Sequence, residues 1–237
     1  MKYLDQIINW IKDQVKKANC SGVAVGISGG IDSALVAYLA KKAFPNDSIG
    51  ILIPINKKRQ FDLEHGLELV KKLDLDYKVI DLSHEYQSMI DKMNVQLDLT
   101  KGNMQARLRM TTIYAFAQER KYLVLGTDNK AEYDLGYFTK WGDGGCDLLP
   151  IVNLYKSEVF EYAKKVGIPI NIINKTPSAG LWDDQSDEKE LGFTYDDYEQ
   201  YDKNLLTDQQ LIEKIKLQIS KTNHKRIEIP KAPKRSE

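Results

Sequence analysis

The sequence is poor in the residues that mark several classes of protein. Its 237 residues include two cysteines, Cys20 and Cys146, which lie far apart and form no C-x-x-C or Cys/His pattern. A structural zinc site is therefore not predicted. Scarce, unpatterned cysteine is typical of the reducing cytoplasm, which is the compartment we expect. Lysine plus arginine and aspartate plus glutamate number 34 each, and this balance argues against a duplex nucleic acid or an anionic membrane as partner.

Long apolar runs are also missing. A membrane-spanning helix needs about 18 apolar residues in succession, and no stretch of the chain approaches this. The amino-terminal residues do not resemble a signal peptide, because Asp5, Lys12 and Asp13 interrupt their apolar residues. These apolar residues recur at helical spacing and predict an amphipathic first helix. We expect residues 1–237 to form a single domain.

Short β-rich runs alternate with helical patterns in the first half of the chain. Most of the runs are almost continuously apolar, which is typical of parallel strands covered on both faces. We therefore predict an α/β fold, a doubly wound, mostly parallel sheet flanked by helices. Ligands bind at the carboxyl ends of the strands in such sheets. The predicted strands are residues 22–27, 48–55, 77–82 and 122–127, and the predicted helices are about 32–44, 60–73, 84–92 and 103–120.

The second half carries weaker structural signals. Residues 137–150 are rich in glycine and predict a loop, and residues 154–167 predict a helix that ends at Gly167. The acidic segment 176–198 predicts a long loop with a short helix. We expect this segment to be a lid that is mobile without ligands and ordered when a ligand is bound, because closure would exclude water from the site.

The stretch GISGGIDS, residues 26 to 33, joins the first predicted strand to the next helix. Its three glycines let backbone N–H groups approach an anion closely, and the helix adds its amino-terminal dipole. The stretch lacks the lysine of a Walker loop and carries Asp32 instead. A carboxylate beside phosphates needs a cation between them, so Asp32 suggests a Mg²⁺ bridge to a polyphosphate. The alternative is a tight turn in which Asp32 caps the helix.

This stretch resembles the S-G-G-x-D-S signature of the ATP pyrophosphatase (PP-loop) family, which has a Rossmann-like fold and cleaves ATP between its α- and β-phosphates. Three further stretches resemble the ammonia-dependent NAD synthetases: KGNMQARLRM (101–110), GTDNKAEYDLGYFTKWGDGGCDLLPI (126–151) and TPSAGLWDDQSDEKELGFTYDD (176–197). The resemblance implies a ligase that uses ATP to amidate deamido-NAD with free ammonia, through an acyl-adenylate, in the final step of NAD biosynthesis. Free ammonia is expected because the amidotransferase domain of glutamine-using relatives is not found in the sequence.

The resemblance also implies the residues that contact ATP and magnesium. Asp32 and Glu132 fall at the Mg²⁺ positions, and Lys156 supplies a point charge for a phosphate group. Without the motifs, Glu132 would be a solvated charge on a helix and Thr127 a capping hydroxyl. The implied ATP contacts are Gly26, Ile27, Ser28, Gly29, Gly30, Ile31, Asp32, Ser33, Thr127, Lys156 and Ser178.

The implied contacts to deamido-NAD are Arg107, Lys140, Asp147, His224 and Lys225. Arginine suits bidentate recognition of a phosphate or carboxylate, although Arg107 can also be a surface ion-pair residue. Asp147 can accept hydrogen bonds from ribose hydroxyls. The alternative for His224 and Lys225 is an ordinary basic tail.

Three residues are predicted to be catalytic: Asp32, Asp143 and Lys156. We hypothesise that Asp143 binds ammonium and helps to remove its proton, because only neutral ammonia is nucleophilic. No nucleophile–base dyad is recognisable, so catalysis is expected to depend on positioning and electrostatics.

Members of the resembled family act as homodimers, and the resemblance implies the same here, with apolar stripes on the helices at 84–93 and 103–119 as interface candidates. Two other functions stay open at this point. One is a PP-loop enzyme that modifies tRNA or transfers sulfur, which neutral net charge and unpatterned cysteine disfavour. The other is a non-catalytic nucleotide-binding module, which the presence of Asp32, Glu132, Lys140 and Lys156 disfavours.

Overall fold

The computed structural model describes residues 1–55, 60–176 and 186–235. These residues form a parallel four-stranded sheet with helices on both faces, which confirms the predicted α/β fold. In chain order the elements are α1 (Lys2–Lys17), β1 (Gly22–Gly26), α2 (Ile31–Ala43), β2 (Ser48–Leu52), α3 (Gln60–Lys72), β3 (Asp76–Val79), α4 (Ser83–Met93), α5 (Asp98–Arg120), β4 (Tyr122–Leu125), α6 (Lys130–Leu135), α7 (Lys156–Lys165), α8 (Ile170–Ile173), α9 (Asp187–Leu191), α10 (Tyr195–Asp202), α11 (Gln209–Lys221) and a 3₁₀ turn (Asn223–Lys225).

The order of the strands creates a crevice beside β1. The sheet runs β3-β2-β1-β4 with every neighbouring pair parallel. The chain builds outward from β1 to β2 and β3, then returns to place β4 on the other side of β1. The topological switch point therefore lies between β1 and β4, and this is where open α/β sheets bind ligands.

The residues of β1 alternate between two hydrophobic cores. Val23 and Val25 pack with α1, α2 and α7 on one face of the sheet. Ala24 packs on the other face with Ile49 and Ala117, and so against α5. Because β1 is covered on both faces, its nearly continuous apolar sequence is explained. The exposed residues of β3 are equally consistent with its position at the edge.

A smaller third core lies beside the crevice and is formed by α6, α9, α10 and α11. Its buried members include Leu135, Phe193, Tyr198 and Ile215. This packing fixes two helices within the segment that was predicted to be mainly loop, because its aromatic residues are buried. Residues 177–185 of the predicted lid, Ser178 among them, lie outside the described residues.

Several predicted boundaries differ from the structure. The strand predicted over 48–55 ends at Leu52, although Ile53 and Ile55 remain buried. These two residues continue the apolar run because they line a cavity rather than the sheet. Helix α5 begins at Asp98, earlier than the predicted residue 103. Among the described residues, no helix has the length and apolar character needed to cross a bilayer.

Candidate active site

A cavity of about 780 Å³ opens at the switch point between β1 and β4. Its walls include the residues that follow the carboxyl ends of β1, β2 and β4. The predicted site residues on its wall are Gly26, Ile27, Ser28, Gly30, Ile31, Asp32, Ser33, Thr127, Glu132, Asp143, Lys156, His224 and Lys225. Residues predicted from distant parts of the chain thus meet in one place.

The glycine-rich loop has a backbone shape that its own hydroxyl groups maintain. The Ser28 and Ser33 hydroxyl oxygens lie 3.0 Å apart, and the Ser33 hydroxyl donates to the Gly30 carbonyl at 3.0 Å. Gly29 has φ +73°, and a Cβ there would lie 2.4 Å from the carbonyl oxygen of Asp62. Both the left-handed conformation and this close approach require glycine.

Helix α2 begins at Ile31, and Gly30 occupies its N-cap position without any side-chain cap. The alternative in which Asp32 caps this helix is therefore wrong. The uncapped first-turn N–H groups leave the amino-terminal end of α2 suited to an anion.

Asp32 and Glu132 share one buried lysine. The Lys156 Nζ donates to Asp32 Oδ2 at 2.6 Å and to Glu132 Oε1 at 3.2 Å, and Lys156 is only 6 % exposed. Burial on its own would lower the pKa of Lys156, but the two carboxylates outweigh burial and raise it. Burial and the neighbouring Asp32 raise the pKa of Glu132. The three side chains form a tightly coupled ionic group at the centre of the cavity.

The amino-terminal end of α6 holds Glu132 in place. Asn129 and Glu132 form a capping box, with Asn129 N donating to Glu132 Oε2 at 3.1 Å and Glu132 N donating to Asn129 Oδ1 at 3.2 Å. The Asn129 side-chain amide also donates to Asp32 Oδ1 at 2.9 Å. One residue therefore ties the end of β4 to the loop that follows β1.

Tyr195 closes one side of this group. Its hydroxyl oxygen lies 2.9 Å from Asp187 Oδ2 and 3.3 Å from Glu132 Oε1. The ammonium group of Lys156 lies 4.9 Å from the centroid of its ring, a cation–π distance. Burial, and then the charges of Glu132 and Asp187, raise the pKa of Tyr195, so the hydroxyl stays neutral and can donate a hydrogen bond.

A second acidic group lies in the same cavity. Asp128 is 5 % exposed, and Asp143 keeps part of its side chain exposed to the cavity while Oδ1 accepts from Thr139 N at 3.0 Å. Burial raises the pKa of both carboxyls. Lys225 acts on both electrostatically, but its Nζ donates to the carbonyls of Gly136 and Phe138 at 2.8 and 2.7 Å.

Of the predicted residues that the structure describes, four are not among those that line the cavity: Gly29, Arg107, Lys140 and Asp147. The Arg107 guanidinium donates to the Lys140 carbonyl at 3.2 and 3.3 Å, and Lys140 Nζ donates to the His224 carbonyl at 2.6 Å. These contacts connect α5, the loop at 137–150 and the carboxyl-terminal 3₁₀ turn at the rim of the cavity.

The carboxylate of Asp147 has two partners in the structure. Its Oδ2 accepts from Val124 N at 2.8 Å, and its Oδ1 accepts from the Tyr114 hydroxyl at 3.0 Å. Burial and the charge of Asp147 raise the pKa of Tyr114. Contact of Asp147 with a ribose stays a prediction.

Residues 3–234 of the chain match the family described as NAD synthase. The chain belongs to the NAD synthase family. It is 50% identical over 224 residues to an NH(3)-dependent NAD(+) synthetase of Mycoplasmopsis pulmonis, covering 94% of this chain and 87% of that protein.

Two solved structures of similar chains agree with the NAD synthase assignment. The NMN synthetase of Francisella tularensis superposes with a TM-score of 0.91 at 37% identity, over 98% of this chain and 97% of that one. The NH3-dependent NAD synthetase of Campylobacter jejuni superposes with a TM-score of 0.84 at 32% identity, over 98% of each chain.

The structure of this NAD synthase also reveals residues in and beside the cavity that the sequence analysis missed. Asp187 and Tyr195 complete the group around Lys156, and Lys175 forms an ion pair with Asp62 beside the glycine-rich loop. Asp128 directly follows Thr127, so its position after a strand was a usable signal. Asp187 and Tyr195 fall within the 176–197 stretch that carries the family resemblance, but no role was assigned to them there. Asp62 and Lys175 carry no local pattern that sets them apart from surface residues.

Proposed function

We propose that this chain catalyses the ATP-dependent amidation of deamido-NAD with free ammonia, giving NAD, AMP and pyrophosphate. The observation that carries the proposal is the cavity at the β1–β4 switch point. There, the lysine-free glycine loop, the Asp32–Lys156–Glu132 group and Asp143 lie together. The similarity to NH3-dependent NAD synthetases of Mycoplasmopsis pulmonis and Campylobacter jejuni supports this reaction.

The ATP phosphates are proposed to bind against the glycine-rich loop and the first turn of α2. Backbone N–H groups and the helix dipole stabilise negative charge at this position. Thr127 follows β4 across the crevice and faces the same space. Gly29 shapes the loop through its conformation, although it does not line the cavity.

Asp32 and Glu132 are the residues proposed to hold Mg²⁺. Both contact the same lysine nitrogen, so their carboxylates lie close enough together to bind one ion. Mg²⁺ is commonly bound by one or two carboxylates together with substrate phosphates and water. The two carboxylates fit the ion in that way, with ATP supplying further oxygens. When bound, Mg²⁺ would neutralise charge on the phosphate oxygens.

The first chemical step joins two anions. The nicotinate carboxylate of deamido-NAD attacks the α-phosphorus of ATP, and pyrophosphate leaves with the electrons of the bond that breaks. Lys156 lies between the two carboxylates and beside the glycine-rich loop, so its charge can stabilise the departing pyrophosphate. The protein contributes orientation and fixed charge to this step.

Deamido-NAD is proposed to extend from the cavity toward the rim formed by Arg107, Lys140 and the carboxyl-terminal turn. His224 and Lys225 line the cavity, whereas Arg107 and Lys140 lie beyond its wall. Asp147, close to β4, is the proposed contact to a ribose hydroxyl. Two anionic phosphates and a carboxylate fit this mainly basic rim.

Asp143 is proposed to bind the ammonium ion for the second step. Ammonia attacks the carbonyl carbon of the acyl-adenylate, and AMP leaves as the amide forms. A carboxylate at the cavity wall can hold the cation and accept its proton.

We propose that the chain acts as a single domain in a cytoplasmic homodimer. Support for the dimer comes from an apolar strip between α4 and α5, where Met93, Leu97 and Leu99 are 61%, 72% and 59% exposed. Sedimentation at micromolar concentration tests it, and Leu97→Glu should shift the protein toward a monomer. A wild-type monomer would contradict the dimer. Both cysteines are free, as suits a reducing compartment.

One assay tests the reaction. Purified protein is incubated with ATP, deamido-NAD, ammonium and Mg²⁺, and NAD and AMP should appear in equal amounts. Asp32→Asn should lower the rate by about 1,000-fold, because the metal and phosphate group loses a charge. The exposed Asp13→Asn serves as the matched control. Absence of NAD from the wild-type reaction would contradict the proposal.

A second candidate substrate is nicotinate mononucleotide, which presents the same carboxylate on a smaller nucleotide. The observation that favours it is the likeness to the NMN synthetase of Francisella tularensis, with a TM-score of 0.91. The same assay with the mononucleotide discriminates the two. A higher kcat/KM for the mononucleotide than for deamido-NAD would assign this chain to NMN synthesis.

A further inference from the structure

Asp128 is a buried carboxylate for which the proposed function has no role. It lies directly after Thr127, beyond the carboxyl end of β4, and lines the cavity while being only 5 % exposed. Its Oδ2 atom is buried and has no hydrogen-bond partner among the described residues. Buried polar atoms are nearly always hydrogen-bonded, because an unpaired one is costly. An unpaired oxygen on a carboxylate that lines a cavity therefore indicates a ligand that donates hydrogen bonds.

The charges near Asp128 are mostly negative. Asp143 acts on it most strongly, followed by Glu132 and Asp32, and Lys225 is the positive group that acts on it. Together with burial, these carboxylates raise the pKa of Asp128 well above its ordinary value. A cation at this position would relieve the repulsion that they cause.

The two acidic groups of the cavity differ in how their charge is balanced. Asp32 and Glu132 both form ion pairs with Lys156. Asp128 and Asp143 form no ion pair within 4 Å among the described residues, since the ammonium group of Lys225 donates to backbone carbonyls instead. The negative charge of Asp128 and Asp143 is thus not offset by a directly paired lysine, and a monovalent cation between them would offset it.

We propose that Asp128 is a catalytic residue that binds the ammonium ion together with Asp143. This inference rests on the proposed function, which requires ammonia. Ammonium has four N–H donors and one charge, and it can satisfy the unpaired Oδ2 of Asp128 while contacting Asp143. The burial of Asp128 places it on the inner side of the ion, and Asp143 lies on the side open to the cavity.

Two protons must leave the nitrogen during the reaction, and the two carboxylates can accept one each. One proton passes from ammonium to a carboxylate oxygen, and the nitrogen lone pair then forms a bond to the carbonyl carbon of the acyl-adenylate. The bond from that carbon to the AMP oxygen breaks, and its electron pair leaves with AMP. The second proton passes from the new C–N nitrogen to the other carboxylate, which leaves the neutral amide.

Asp128→Asn tests the inference, because asparagine keeps the shape of the side chain and removes its charge. We expect the KM for ammonium to rise by about 100-fold, with little change in the KM for ATP or deamido-NAD. Exchange of labelled pyrophosphate into ATP, measured with deamido-NAD and without ammonium, should stay within about twofold of wild type, because adenylation precedes the use of ammonia. Asp13→Asn is the control for the loss of a surface carboxylate.

An unchanged KM for ammonium in Asp128→Asn would overturn the inference. So would an equal loss of pyrophosphate exchange, because Asp128 would then serve the fold or the ATP step. A wild-type protein that makes no NAD refutes the proposed function instead, so the two failures are distinguishable.

A measurement on the wild type decides the matter if the variant does not fold. Thallium(I) is a monovalent cation similar in size to ammonium, and its anomalous scattering locates it in a crystal. A thallium peak between Asp128 and Asp143 that ammonium displaces supports the inference. A soaked crystal without a peak there overturns it.

Discussion

The cavity contains two pairs of carboxylates, Asp32 with Glu132 and Asp128 with Asp143, which differ in their contacts with lysine. Asp32 and Glu132 share Lys156 and receive further hydrogen bonds from Asn129 and Tyr195. Asp128 and Asp143 have Lys225 nearby, but it donates to carbonyl groups. The first group has a lysine that pairs directly with both carboxylates, and the second has no such ion pair among the described residues. Substitutions should therefore affect different quantities: stability as well as activity in the first group, and the use of ammonia in the second.

The largest effect is expected from Lys156→Met, which leaves two neighbouring, partly buried carboxylates without their shared cation. The free energy of unfolding without Mg²⁺ should fall by about 3–5 kcal/mol, and NAD formation should fall by about 1,000-fold. Chemical denaturation and the NAD assay measure the two quantities. Lys165→Met, on the exposed end of the same helix, is the matched control. Unchanged stability would show that Lys156 is not needed to balance the two carboxylates.

The next largest effect is expected from Asp143→Asn, where only the use of ammonia should suffer. The kcat/KM for ammonium should fall by about 100-fold, since the carboxylate that receives the proton is lost. Pyrophosphate exchange should persist because ATP and deamido-NAD still bind. Turnover that matches wild type at every ammonium concentration would remove Asp143 from the mechanism.

A smaller effect is expected from Tyr195→Phe, which removes one hydroxyl from the first group. Asp187 then loses a buried hydrogen-bond donor, so the free energy of unfolding should fall by about 1–3 kcal/mol. Denaturation curves measure this change, with Tyr3→Phe on α1 as the control. Equal stability of the two variants would mean that the Tyr195 hydroxyl adds nothing to the group.

The smallest effect is expected in the alkylation rate of Cys146, which reports the charge on Asp128. Burial, followed by the charge of Asp128, raises the pKa of the Cys146 thiol to about 12. Only the thiolate reacts with alkylating reagents, so the folded protein should react slowly at pH 8, and the rate should rise about tenfold per pH unit below the pKa.

Replacing Asp128 by asparagine lowers the pKa of that thiol, and the rate at a fixed pH should rise by about threefold. The comparison is made in a Cys20→Ser background, with urea-unfolded protein as the fully reactive reference. An unchanged rate would show that the charge of Asp128 does not reach the cavity wall at Cys146.

The sheet and the glycine-rich loop could be predicted because both have local sequence signals. The apolar run of β1 and the glycines that follow it lie within a few residues of one another, and the same holds for β4 and Thr127. The second strand was predicted to extend past Leu52, where β2 ends. Ile53 and Ile55 are buried beside the cavity and carry the same apolar signal as a strand.

Two side chains beside the Asp32–Lys156–Glu132 group were missed in the sequence. Tyr195 and Asp187 reach Glu132 and Lys156 through the third core, whose packing depends on contacts between helices far apart in sequence. Asp128 was passed over in favour of its neighbour Thr127, although the rule that chemistry follows a strand applies to both. Burial distinguishes the two, and only the fold reveals it.

The position of β4 beside β1 has a consequence for the nascent chain. Asn129 and Asp32 are hydrogen-bonded across a sequence separation of 97 residues, and Lys156 reaches Asp32 across 124. Contacts of such long range form late and slow the folding of a domain. Most of the polypeptide must therefore leave the ribosome before the cavity can form and bind a nucleotide. Fragments that end before β4 leave the apolar residues of β1 without their partners, and such exposed surface favours aggregation.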